Sequence, residues 1–131
     1  MAYKLTQKEF ENVLSLEASK RYKYFISKIV DQDELWSLKN NDGFIGMGDN
    51  EGHDGIPFWP HIEYAKLFIN NEWEDCEPAK VNFHHFIDYW IPEMIKDNVH
   101  IIVFPTLEMK GLTLHPKVIL KDLVEENKKI E

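Results

Sequence analysis

His84, His85 and Asp88 are the residues of this chain whose types and spacing come nearest to metal chemistry. On a helix His84 and Asp88 stand at i and i+4, share a face and could offer two ligands. A zinc site takes at least three protein ligands, and neither an HExxH nor a CxxC frame supplies the rest. A third ligand such as His61 would have to come from the fold. The expectation is therefore no bound metal and no cofactor. The competing reading is a solvated helix face opposite Phe83, Phe86, Ile87 and Trp90.

Cys76 is the only cysteine, and Glu74, Asp75 and Glu77 surround it. Neighbouring carboxylates raise a thiol pKa and suppress the thiolate, which argues against a nucleophile. The run from Asp49 to Gly55 has the polarity of a calcium loop, but position 12 counted from Asp49 is Pro60 and position 6 is Asp54, where an EF-hand needs Glu and Gly. A polar hairpin loop fits it better. No Gly-x-Ser-x-Gly elbow and no phosphate-binding Gly-x-x-x-x-Gly-Lys-Ser/Thr loop occurs. No catalytic residue is assigned. The remaining candidates for a ligand or partner site are Trp59, His61, Tyr64 and Trp73. Pro60 at a helix start would leave nearby amides open to an anion, although Trp59 and Tyr64 serve equally well as core.

The elements that would position these groups can be traced along the chain. Thr6 and Glu9 form a capping box ahead of a short helix with Phe10, Val13 and Leu14 inward. A second helix starts near Ser15 and buries Tyr22, Phe25, Ile26 and Ile29, leaving Lys20, Lys23 and Lys28 to water. Residues 34–39 are a strand, and residues 40–43 turn it, since Asn, Asp and Gly tolerate positive φ. Residues 44–47 return, and residues 56–59 form a third strand. Pro60 suits the first position of a helix over 61–70. Residues 79–81 form a short edge strand behind Pro78. Asn82 caps a helix carrying Phe83, Phe86, Ile87, Trp90 and Met94, with a kink or restarted turn at Pro92. The β-branched run 99–104 predicts a central strand covered on both faces. Residues 112–114 add a shorter strand. His115-Pro116 opens a last helix with Ile119, Leu120, Leu123 and Val124 inward.

Length and composition bound the rest. A chain of 131 residues with 17 aromatics (4 Trp, 5 Tyr, 8 Phe) can bury a sizeable core as one domain, residues 1–131, without metal or disulfide. Strands and helices mix without strict alternation. The expected class is α+β, with a mixed or antiparallel sheet of about five strands and helices packed around it. One cysteine and no apolar run of membrane length point to a cytoplasmic protein. The formal charge of −8 repels phosphate backbones and anionic lipid, so neither nucleic acid nor membrane is expected as partner. It would suit a basic protein.

The text Arg21-Tyr22-x-Tyr24-Phe25, Leu35-Trp36-x-Leu38, Pro57-x-Trp59-Pro60-His61-x-Glu63-Tyr64-Ala65, Trp73, Phe86 to Pro92 and Val103-Phe104-Pro105 resembles the bacterial domain of unknown function 2750 family. The resemblance covers about residues 15–125. It implies no activity, substrate or catalytic residue. The layout is also loosely similar to some toxin-immunity and secretion-accessory domains, at the level of architecture alone. The expectation is a non-catalytic protein-binding domain, with an immunity-type protein as one version. The alternative is a small-ligand-binding protein or minor enzyme built on the Trp59/His61 corner with His84 or His85.

Overall fold

Thr6 accepts from the Glu9 amide at 3.1 Å, which caps helix α1 (Gln7–Leu14). The Glu9 carboxylate takes the Tyr24 hydroxyl instead of closing the expected capping box. In this computed structural model the described residues are 5–48, 54–69, 75–107 and 111–129. Helix α2 (Ala18–Gln32) starts three residues later than the sequence reading placed it, because Ser15 is spent as the C-cap of α1. It buries Phe25, Ile26 and Ile29 as expected, together with Arg21 and Val30. Asp33, in the left-handed region at φ 60°, ends it.

Strand β1 (Glu34–Asn40) pairs antiparallel with β5 (Glu77–Asn82) over six residue pairs, Glu34 opposite Asn82 through Lys39 opposite Glu77. The turn behind β1 forms as its residues dictate. The Asp42 amide donates to Asn40 Oδ1 at 2.9 Å and Gly43 takes φ 119°. The returning strand is split, contrary to the single strand read for residues 44–47. Gly43–Phe44 (β2) stays on β1, whereas Met47–Gly48 (β3) joins β4 (Asp54–Phe58) in another sheet. The cause is competition for one edge of β1. Trp36 and Trp59 exchange both backbone bonds at 2.8 Å, and Ser37 Oγ donates to the Pro57 carbonyl at 2.7 Å. On the N-terminal side of Leu38, at Trp36 and Ser37, the neighbour of β1 is thus the end of β4 with Trp59, and no room remains there for the return strand.

Strand β6 (His100–Val103) lies between β4, to which it is parallel, and β7 (Leu112–Leu114), to which it is antiparallel. Ile101 and Val103 are buried, as a strand covered on both faces requires. Among the described residues seven strands make two sheets, ordered β2-β1-β5 and β3-β4-β6-β7, joined at the Trp36–Trp59 bridge. The fold is α+β, with the single sheet of about five strands replaced by this pair.

Helix α3 (Ile62–Ile69) begins two residues after Pro60 rather than at it. Trp59 is held extended by its bridge, and the Pro60 carbonyl accepts from Gln32 Nε2. Asn82 caps the next helix, its Oδ1 accepting from the His84 and His85 amides at 2.9 and 3.2 Å. That helix runs as α4 (Phe83–His85), a π turn (Phe86–Trp90) and α5 (Ile91–Asp97). Pro92 has no amide to donate and crowds the preceding turn. The wider turn, closed by the Ile91 amide on the Phe86 carbonyl, takes up the misfit for which the sequence reading expects a kink or a restarted turn. The extra residue shifts the buried register. Ile91 is fully buried and Trp90 only half, where the unbroken period put Trp90 inward.

Helix α6 (Pro116–Lys128) is capped by His115 Nδ1, which accepts from the Lys117 amide at 3.1 Å. Ile119 and Leu123 are buried, but Val124 is 42% exposed. One residue past Leu123 is about 100° further round the helix, which turns it off the inward stripe. Helix α2 packs against α6, β1 and β7, and α3 against β1 and β5. Phe25, Phe58, Trp59, Tyr64, Phe83 and Phe86 are among the largest side chains between them.

Candidate functional site

The bridge that holds Trp59 extended also sends its side chain inward. Trp59 is fully buried, its Nε1 donating to the Pro105 carbonyl at 2.9 Å and its ring 5.2 Å from Phe68. Tyr64, one turn into α3, is buried with its ring stacked on Phe10 at 5.0 Å and 4.6 Å from Phe104. Phe104 holds φ 50°, strained for a bulky side chain, and its amide donates to the Phe58 carbonyl at 2.9 Å. Trp73 lies outside the described residues.

His61 is 4% exposed, its Nε2 3.0 Å from the Tyr24 hydroxyl. Because that hydroxyl donates to Glu9, the tautomer that fits has His61 Nε2–H donating to the Tyr24 oxygen. The three groups form a relay from His61, just ahead of α3, through Tyr24 on α2 to Glu9 on α1. Burial pushes the imidazole pKa down to about 4; the Glu9 charge opposes this and Lys28 adds to it. His61 is accordingly neutral near pH 7. Such a group orients and donates, but it is a poor reservoir for a catalytic proton at that pH.

Trp59, His61 and Tyr64 are therefore brought together, facing the core. His84 and Asp88 both point to solvent, and among the described residues no three His, Cys, Asp or Glu side chains gather closely enough to hold a metal ion. Cys76 is buried, and burial first, then Asp75, pushes its thiol pKa up. Residues 49–53 of the polar loop are outside the described residues, as are residues 72–74 of the acidic run around Cys76.

The groups that reach the surface with a shape around them lie elsewhere. Strands β2, β4 and β5 and the π-turn helix enclose an open groove of about 580 Å³. Ile56, Val81, Met94 and Val99 supply apolar lining, and Phe44, Tyr89 and Trp90 bring aromatic rings to it. Phe44 stands edge-on to Trp90 at 4.5 Å, and Trp90 edge-on to Phe58 at 5.6 Å. Tyr89 stacks on His85 at 5.1 Å and is 56% exposed. His85, Tyr89, Glu93 and Asp97 all line the groove. Four-residue spacing on a regular helix drifts about 40° per step, so His85 and Asp97 would stand about 120° apart. The one extra residue of the π turn takes back about 100° of that drift and sets the four in a row.

The sequence reading missed this groove. Its signal was Tyr89, an aromatic lying off the buried stripe on a face assigned to water.

A family described as protein of unknown function (DUF2750) matches residues 22–123. The chain belongs to that family. The matched span holds Tyr24, His61 and the whole groove, whereas Glu9 and α1 precede it. No curated protein matches this DUF2750 chain.

Proposed function

We propose that this DUF2750 domain is a non-catalytic protein-binding module whose docking face is the groove beside the π turn. The observation that carries the reading is the set of aromatic rings held at the surface over an apolar floor, with Tyr89 56% and Phe44 40% exposed. Aromatic side chains offer large contact area with few rotatable bonds, and they dominate binding energy at protein interfaces. The charge of −8 favours a basic protein over nucleic acid or anionic lipid. An immunity-type protein that neutralises a basic toxin is one form of this reading. A cytoplasmic setting belongs to it, in keeping with a chain that carries a single cysteine and so no internal disulfide. No helix among the described residues is long and apolar enough to cross a membrane.

The second reading is a small-ligand site or minor enzyme at the Trp59/His61 corner. The His61–Tyr24–Glu9 relay and the strained Phe104 favour it. The near-complete burial of Trp59, His61 and Tyr64 weighs against it, since a substrate would have to open the core.

The test is capture from native extract with the tagged full chain, its Phe44→Ala and Tyr89→Ala variants, and Val118→Ala on the exposed side of α6 as control. A partner retained by wild type and Val118→Ala but lost from both groove variants supports the reading. Identical capture by all four chains, each shown to be folded by circular dichroism, would refute it.

A further inference from the structure

We infer that the groove receives a lysine or arginine side chain of the partner, with its cationic head at the C-terminal end of α5; this rests on the docking reading above. Of the described side chains lining the groove, the carboxylates of Glu93, in the first turn of α5, and Asp97, its last residue, stand one turn apart along the helix, against a single ammonium, Lys80. Helix α5 finishes at Asp97, and Asn98 in the left-handed region closes it. A helix C-terminus already carries negative partial charge, so the Asp97 carboxylate, in the last turn, opposes its own helix. Lys96 is the basic residue of that turn, and it is exposed outside the groove lining. An incoming cation would relieve this mismatch by meeting both the carboxylates and the helix terminus. The rest of the lining fits the same guest. Ile56, Val81 and Met94 can take the aliphatic stem of a long basic side chain, and the rim rings of Tyr89 and Trp90 can take the edge of its charged head. A free cation of any kind would satisfy the carboxylates, but the apolar floor adds contact only for a charge carried on a hydrocarbon stem.

The test uses end-blocked hexapeptides alternating leucine with lysine, with glutamate or with serine. Binding to the isotope-labelled full chain is followed through the methyl resonances of Ile56, Val81 and Met94. The leucine–lysine peptide should move these signals and bind about tenfold more tightly than the leucine–glutamate peptide. Glu93→Gln with Asp97→Asn should remove that preference. Glu11→Gln with Glu125→Gln, an equal change of net charge on α1 and α6, should leave it intact. The inference is overturned if the lysine peptide moves no groove methyl, or if the Glu93/Asp97 variant binds it as well as wild type. Equal binding of the serine peptide in the groove would overturn the cationic guest and leave the docking reading standing. Silence from all three peptides, with partner capture indifferent to Phe44 and Tyr89, would remove both.

Discussion

Lowering the pH from 7 to about 4.5 should destabilise the protein through His61 in particular, and the structure sets the size of the effect. The imidazole has a pKa near 6.5 in an unfolded chain and about 4 when folded. The folded state binds the proton less well, so the unfolded state takes it up first as pH falls. The stabilising contribution is complete above about pH 6.5, is lost between there and about pH 4, and is flat below that. A shift of that size corresponds to at most about 3 kcal/mol. The effective dielectric inside proteins, nearer 20 than 4, brings the working figure to about 2 kcal/mol. His61→Gln isolates it, because glutamine can still donate toward the Tyr24 hydroxyl but cannot titrate. Urea unfolding of both chains from pH 7 to 4.5 should show wild type losing about 2 kcal/mol more than the variant. Carboxylate protonation contributes to both curves and cancels in the difference. Parallel curves, or a His61 ring resonance titrating near pH 6.5 in the folded protein, would refute the reasoning.

Trp59→Phe should cost about 2–4 kcal/mol, since it opens a gap beside Phe68 and leaves the buried Pro105 carbonyl without its donor; denaturant midpoints measure it. Gly111→Ala should cost about 1–3 kcal/mol, because the new Cβ would lie 2.8 Å from the Val103 carbonyl oxygen and 3.0 Å from Pro105 Cα, both backbone atoms that cannot swing aside. Asp33→Gly should raise stability by about 0.5–1 kcal/mol, as Asp33 is exposed at φ 60° and glycine carries no Cβ penalty there; a lower thermal midpoint would count against it. Leu123→Ala should cost about 2–5 kcal/mol and Val124→Ala under about 0.5 kcal/mol, which separates the buried stripe of α6 from its exposed neighbour.

The parts legible in the sequence are those where local chemistry is left to decide. Asn82 and Thr6 cap helices because nothing else competes for their oxygens, Asn40 to Gly43 turn because only such residues relax there, and residues 99–104 read as a buried strand because no polar residue follows His100. The parts that were not legible depend on a distant partner. Nothing in residues 44–47 says that Trp59 will take the edge of β1 and split the return strand. Nothing around Ser15 says that one hydroxyl will serve α1 rather than α2. The candidate site followed the same division. Trp59, His61 and Tyr64 could be chosen by type, but only the fold shows that all three face the core.

The π turn is where sequence and site meet. Pro92 was visible as a break in the helix period, and a break can be relieved by a bend or by one extra residue. A bend would have kept Trp90 inward and dispersed His85, Tyr89, Glu93 and Asp97 over about a third of the helix circumference. The extra residue instead hands the core position to Ile91, frees Trp90 to meet Phe44 at the surface, and gathers the other four along one groove. Filling the core with Ile91 alone would not require Tyr89 to stand 56% exposed. The energy of burying that ring is withheld from folding, and on the docking proposal it is what the partner would gain by covering the groove.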